Sequence, residues 1–446
     1  VTTPERWMRI EQILDQLLEL PSATRRTRLD EITRGDEDLR GEVLTLLDEG
    51  DRVGGPLDGS LATLAEGVFE DSSGETLRER VGPYRVLREL GRGGMGEVLL
   101  AERADGAFDH RVALKIVRTG LNRDEIAARF RHERKILARL RHPNIASLFD
   151  GGTAEDGVPY FAMEYVEGER ITDFADHRRL DVDARVRLFE SVCEAVAHAH
   201  RNLVVHRDLK PSNVLVTSEG VVKLLDFGIA KVMDPSDDDS GRTTQRFLTP
   251  AYASPEHVRG LPTTTATDVY SLGVLLYELL TGQHPHGDTS SSAELLHAIL
   301  ERELREPSAV VTRETKIATA ADLAGRRATV PAELRRRLRG DLDNVVAKAL
   351  RRDPAERYGS VDELRLDLHR YRHSQPVSAR PASAAYRLEK FVRRNRASVA
   401  IGATLLAALV VFAISMSVLY ATSRRNLTRA VAAERSAATE AETARQ

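Results

Sequence analysis

Cysteine is almost missing from this chain of 446 residues: Cys193 is the only one, so no intrachain disulfide can form and a reducing compartment fits. Cys193 sits in the apolar helical run 188–193, where a small buried hydrophobe is expected rather than a reactive thiol. An excess of charge is missing too. Lys plus Arg number 65 against 68 Asp plus Glu, for a formal charge of -3, and this balance gives no ground for a nucleic-acid partner. No charged segment followed by an apolar core opens the sequence, so nothing reads as a secretory signal. Internal repeats are also lacking. The most informative absence lies near the other end, where residues 397–423 contain no charged side chain and are rich in Leu, Ala, Val and Ile. About 20 such residues suffice to cross a bilayer as a helix. Polar, basic flanks and the lack of sequence to wrap the segment favour a membrane span over a buried core helix.

Hydrophobic spacing divides the rest. Residues 1–50 read as short amphipathic helices, with Trp7, Ile10, Ile13, Leu14, Leu17 and Leu18 at helical spacing, and Leu39, Val43, Leu46 and Leu47 again. Ser22 and Asp36 suit N-caps, and Trp7 suits a core anchor. Residues 51–83, rich in Gly, Ser and acids, read as a linker. From Tyr84 short alternating runs predict strands over 84–90, 97–102 and 111–117, followed by a helix over 124–140. Beyond Asp181 helical patterns dominate, among them 182–201 and 267–281, and they end near Tyr371. Residues 372–396 read as a basic juxtamembrane stalk, 397–421 as the membrane helix and 422–446 as a short outer tail.

Two runs carry chemistry. The first is Gly91, Arg92, Gly93, Gly94, Met95, Gly96, Glu97 and Val98, whose glycines let a backbone approach phosphates with no Cβ in the way. A dinucleotide site with the same glycine spacing would pass directly into a helix, whereas the run after Glu97 alternates as a strand. In the second run, His206, Arg207, Asp208, Leu209, Lys210, Pro211, Ser212 and Asn213 precede Asp226, Phe227 and Gly228. An acid able to take a hydroxyl proton, an amide oxygen and a second acid lie within a short length of chain. Between the two runs, Val112, Ala113, Leu114 and Lys115 place a lysine on the third strand, upstream of Glu133 on a helical pattern.

In this order the runs resemble the protein kinases. The resemblance covers residues 84–371 and implies an α+β, two-lobed fold with a strand-rich N-lobe and a helical C-lobe. It implies ATP and Mg²⁺ as cofactors, with Asp208 as proton acceptor and Asn213 and Asp226 as metal ligands. Lys115 is implied to hold the α- and β-phosphates, itself held by Glu133. The glycine loop, together with Met163, Glu164 and Val166 of the hinge, is implied to hold the nucleotide. Lys210 and Pro211 point to serine or threonine as acceptor. Residues 249–256 resemble the end of an activation segment, with Ser254 where the family carries Ala and Leu248 where it often carries Gly; Glu256 is implied to pair with Arg357. Asp268 matches the acid that anchors the catalytic loop, and Thr243 and Thr244 match activation-loop phosphosites.

The order of cytosolic kinase, basic segment and single membrane helix resembles the bacterial, eukaryotic-like serine/threonine kinases. The expected partners are protein substrates, ATP, membrane lipid and a second copy of the chain as a homodimer. Basic residues on the near flank, Arg387, Lys390, Arg393, Arg394 and Arg396 among them, favour a cytoplasmic kinase domain at the cell membrane. The tail beyond Asn426 is too short for a ligand-binding domain, so little sensing outside the cell is expected. The alternatives are a pseudokinase scaffold, disfavoured by the presence of Lys115, Asp208, Asn213 and Asp226, and a small-molecule kinase, disfavoured by the full segment 249–256.

Overall fold

Strands form where the alternating runs lie. The computed structural model describes residues 79–93, 96–104, 111–117, 140–154, 157–227, 250–287, 289, 291–314, 318–381 and 383–443, with 13, 17, 28–33, 36, 39–40 and 43–44 of the N-terminal segment. The chain divides into two compact units, 1–368 and 369–446, each described by itself.

In the first unit β1 (Arg80–Val81), β2 (Tyr84–Gly93), β3 (Gly96–Arg103), β4 (Arg111–Val117), β5 (Leu148–Thr153) and β6 (Pro159–Glu164) form one antiparallel sheet in the order β1-β2-β3-β4-β6-β5. Because strand side chains alternate faces, Val112, Leu114 and Ile116 of β4 enter a buried cluster with Tyr84, Leu99 and Tyr160, while Lys115 takes the other face. Strands β2 and β3 run further toward each other than the alternation predicts, pairing up to Gly93 and Gly96. A strand, not a helix, follows the glycine run, as the kinase reading requires.

A second sheet, β7 (Gly168–Arg170), β8 (Val214–Thr217) and β9 (Val222–Leu224), brackets residues 205–213. Helices make up the remainder: α1 (Ile171–His177), α2 (Val182–Arg201), α3 (Pro255–Val258), α4 (Thr265–Thr281), α5 (Ser292–Glu301), α6 (Pro307–Val310), α7 (Ala320–Gly325), α8 (Pro331–Leu338), α9 (Asp341–Ala349) and α10 (Val361–Arg372). Helix α2 starts where Asp181 accepts a hydrogen bond from the Ala184 amide at 2.8 Å, satisfying a donor that the first turn cannot. Helix α4 is apolar almost all round and nearly every side chain in it is buried, which marks it as the central helix of the lobe. Thr264 and Thr267 cap its start, and it stops at Gly282, where φ is 74°. A Cβ on Gly273 would lie 2.9 Å from the Ala349 Cβ, so glycine lets α4 and α9 approach.

In the N-terminal segment Ile13, Leu17, Leu39 and Val43 are buried, as their spacing predicts. Asp36 accepts from the Leu39 amide at 3.0 Å, the cap role expected of it; Trp7 and Ser22 lie outside the described residues.

The second unit departs from a plain stalk. Residues 384–394 form α11 (Ala384–Arg394), capped by Ser383, whose Oγ accepts from the Tyr386 amide at 3.2 Å. After one residue, Asn395, the chain enters α12 (Arg396–Thr443), which continues unbroken past residue 421. Residues 396–437 of α12 are long and apolar enough to cross a membrane, with a mean hydropathy of 2.5 in their most apolar window.

Candidate active site

Asp268, on the first turn of α4, is fully buried, and its position decides the shape of the catalytic loop. Its carboxylate accepts from the His206 amide at 2.8 Å, the Arg207 amide at 2.9 Å and His200 Nε2 at 2.7 Å. Burial alone would raise its pKa; the hydrogen bond and charge of His200, with help from His206, hold it below the usual carboxylate range. The loop it grips is strained at Arg207, where φ is 67°, and the loop after β9 is strained at Asp226, where φ is 49°, a region that side chains other than glycine rarely enter. His206 is buried: its Nε2 bonds to the Leu225 carbonyl at 2.8 Å and its ring lies 4.8 Å from that of Phe227. Burial lowers its pKa, and it serves as a neutral strut between two loops.

Beside that strut the titratable groups converge. Lys210 Nζ lies 2.9 Å from Asp208 Oδ2, and Asn213 Nδ2 donates to the same oxygen at 3.0 Å and to the Asp208 carbonyl at 2.7 Å. The Asp208 carboxylate is thus oriented from two sides. Lys115, facing away from the sheet's core, places Nζ 2.7 Å from Asp226 Oδ2. The other oxygen, Asp226 Oδ1, is buried with no hydrogen-bond partner among the described residues. An unmatched buried carboxylate oxygen is costly, and a hard cation is the partner that would satisfy it. With its amide nitrogen committed to Asp208, Asn213 has Oδ1 as the atom chemically suited to such a cation. These residues fit Mg²⁺.

Met163, at the end of β6 opposite Ala113, lines an apolar hollow with Leu140, Ile145, Leu148 and Phe227, and Asp226 lies at its edge. Glu164 Oε2 accepts from the Ser147 amide and Oε1 pairs with Lys223, so this side chain braces the hinge and leaves only backbone groups there to meet a base. Val166 is half-buried in the strand-free segment that follows. Of the glycine loop, Gly91, Arg92 and Gly93 lie on β2 and Gly96, Glu97 and Val98 on β3, with Arg92 paired to Glu97 at 3.5 Å. Gly94, Met95, Glu133, Thr243, Thr244 and Thr249 lie outside the described residues.

Arg357 grips Glu256 through two bonds of 2.7 Å, the pairing implied by the sequence. Burial opposes the charge on Glu256, but the Arg357 bonds outweigh it and hold its pKa down. Sequence reasoning missed several supports of the site. His200 is one; it directly follows Ala199 and precedes Arg201 at the end of α2, so it reads as one more charge of the helix's last turn. Tyr252 is another, with its hydroxyl donating to Glu278 at 2.5 Å. Arg185 is fully buried against Asp176 at 2.8 Å and the Leu279 carbonyl at 3.1 Å.

A strained loop pinned from a buried helix, with a lysine from a five-residue β-pairing facing a metal-suited acid, defines the phosphotransferase class with the two-lobed kinase fold. Residues 84–367 match the protein kinase domain family, and the chain belongs to it. It is 35% identical over 302 residues to the serine/threonine-protein kinase PknB of Mycobacterium tuberculosis, covering 66% of this chain and 44% of that protein. It is 36% identical over 290 residues to the serine/threonine-protein kinase PrkC of Bacillus subtilis, covering 64% and 40%. A probable serine/threonine-protein kinase of Streptomyces coelicolor is similar at 36% over 319 residues, covering 70% and 43%. The matched region thus spans less than half the length of these curated relatives.

Proposed function

We propose that this chain is an active, ATP-dependent serine/threonine protein kinase held at a bacterial cell membrane by α12, with its kinase domain in the cytoplasm. The observation that carries the reading is that Lys115 pairs with Asp226 and Asn213 with Asp208, the two loops being joined by the Leu225 amide donating to the Asn213 carbonyl at 2.8 Å, with Asp226 Oδ1 buried and unmatched among the described residues. ATP with Mg²⁺ supplies the transferable phosphoryl group. Asp208 takes the proton of the attacking hydroxyl, and Lys210 and Asn213 hold its carboxylate in place. Lys115 reaches phosphate oxygens from β4, with Glu133 as the partner that holds it there. Asn213 and Asp226 hold the cation. Backbone groups near Glu164 and Val166 hold the adenine, and Met163 walls its pocket.

Arg207, next to the catalytic acid, is the group that would meet a phosphate on Thr243 or Thr244, since a phosphoryl group adds about -1.5 to -2 charge. Protein substrates follow from the activation-segment fold around Glu256 and Arg357. The pseudokinase alternative has no specific observation in its favour. The reading is tested by incubating the full chain with labelled ATP, Mg²⁺ and a generic protein substrate, followed by phosphoamino-acid analysis. Label on serine or threonine, lost in Lys115→Met, is expected. Label on tyrosine, or none at all, contradicts the proposal.

A further inference from the structure

Residues 384–394 form an amphipathic helix whose apolar side is exposed among the described residues. At helical spacing Leu388, Phe391 and Val392 share one face of α11, and they are exposed at 63%, 51% and 39%. The opposite face is occupied. Tyr386 is buried, its hydroxyl oxygen accepts from the Val377 amide at 3.1 Å, and the Arg380 guanidinium lies 4.4 Å from its ring centroid. Lys390 is also buried, with Nζ 5.7 Å from the same centroid. Tyr386 therefore fixes which way the helix faces, and the apolar stripe points away from the side that Tyr386 and Lys390 occupy.

Continuity and charge choose the occupant. Asn395 alone separates α11 from α12, so the stripe begins where the membrane-spanning residues begin. Arg387, Arg393 and Arg394 are exposed on the polar side and borders of the helix, with Glu389 as the sole acid in it. An apolar face flanked by basic side chains is the pattern of helices that lie in the lipid headgroup layer.

We propose that α11 is an interfacial helix lying on an anionic lipid surface, with Leu388, Phe391 and Val392 at the acyl boundary and Arg387, Arg393 and Arg394 among the phosphates. The proposal rests on the reading of α12 as the membrane anchor. A helix so placed extends the anchor sideways and fixes the rotation of the chain about α12, which a flexible stalk would leave open. Juxtamembrane basic residues add about 1 kcal/mol each near an anionic surface, so binding depends on lipid charge as well as on the stripe.

The test uses the full chain in a Cys193→Ala background, spin-labelled singly at Leu388→Cys, Glu389→Cys, Phe391→Cys or Leu409→Cys. Each is placed in nanodiscs of mixed phosphatidylglycerol and phosphatidylcholine, or of phosphatidylcholine alone. Collision with oxygen reports lipid contact and collision with a nickel chelate reports water. In anionic discs positions 388 and 391 are expected to favour oxygen and 389 nickel, with the contrast reduced in phosphatidylcholine. Nickel access at 388 and 391 equal to that at 389, with 409 still in lipid, would overturn the proposal while leaving the anchor intact. Nickel access at 409 would overturn the anchor itself. Dipolar broadening at 388 and 391 from a second chain would assign the stripe to self-association and contradict a lipid occupant.

Discussion

Helices α4 and α12 each carry a long, largely apolar stretch, and the two stretches meet opposite surroundings. Helix α4 is enclosed by protein; α12 is exposed over nearly all of its described side chains. Each must satisfy its polar groups differently. Inside the kinase domain α4 carries Asp268, Tyr270 and Ser271, and each has a named partner: the catalytic-loop amides, His286 Nε2 at 3.0 Å and the Tyr252 carbonyl at 2.9 Å. Over residues 397–423 α12 has no charged side chain, and Thr404 and Thr422 bond back to the carbonyls of Ala400 and Val418. An apolar helix buried in protein can organise chemistry because its neighbours supply matched polar groups. A lone helix in lipid, as proposed for α12, has no such neighbours and satisfies itself.

The largest effect is expected from making α4 more like α12. Asp268→Leu raises its hydropathy yet removes the acceptor of two amides and His200, and each orphaned buried donor costs about 1–3 kcal/mol. Chemical denaturation should show the loss, and the surviving folded fraction should have lost activity. If the variant matches the parent in both, Asp268 does not organise the loop. Next comes Arg357→Ala, which leaves the Glu256 carboxylate buried without its counter-charge, the Thr267 hydroxyl at 3.0 Å remaining as a neutral donor. Removing one partner of a buried pair costs about 3–5 kcal/mol, again read by denaturation. A change below about 1 kcal/mol would show that the pair is dispensable, no stronger than an exposed one.

The reverse substitution tests the other helix. Leu409→Arg puts a charge mid-span, worth about 2.5–3.5 kcal/mol against insertion, and membrane fractionation should show part of the chain released. Unchanged fractionation would remove α12 from the lipid. The smallest effect concerns His286, against which the Tyr270 hydroxyl of α4 packs. Burial first, then the charges of His284, Arg302 and Arg352, push its pKa from 6.5 down to about 3. Below about pH 6.5 the unfolded chain takes up a proton that the folded chain refuses, so stability falls as pH drops, by up to about 1.4 kcal/mol per unit. His286→Gln should flatten that limb in a melting series from pH 7 to 5. An unaltered slope would place the acid sensitivity elsewhere.

The same contrast separates what the sequence made legible from what it did not. The residues proposed to be catalytic stood out because phosphoryl transfer needs fixed residue types in a fixed chain order, from Lys115 to Asp226. Strands β2 to β4 and helix α2 were readable because half-burial imposes a period, and their observed bounds agree to within a few residues. Helix α11 was hidden: its apolar stripe is interleaved with arginines, so residues 372–396 registered as a run of charge. Buried arginines were equally hidden, since nothing in the order of residues around Arg185 shows that carbonyls from distant helices surround its guanidinium. His200 needed the fold as well, because only packing of α2 on α4 brings it to Asp268.

The central claim is that α4 holds Asp208 where it can take a proton from a serine or threonine hydroxyl, and single-turnover phosphoryl transfer by Asp208→Asn tests it most directly. With nucleotide affinity measured in parallel on the full chain, the account expects ATP–Mg²⁺ binding to persist while the transfer rate falls by about 10²–10⁴-fold. Transfer at the parental rate with binding intact would contradict it.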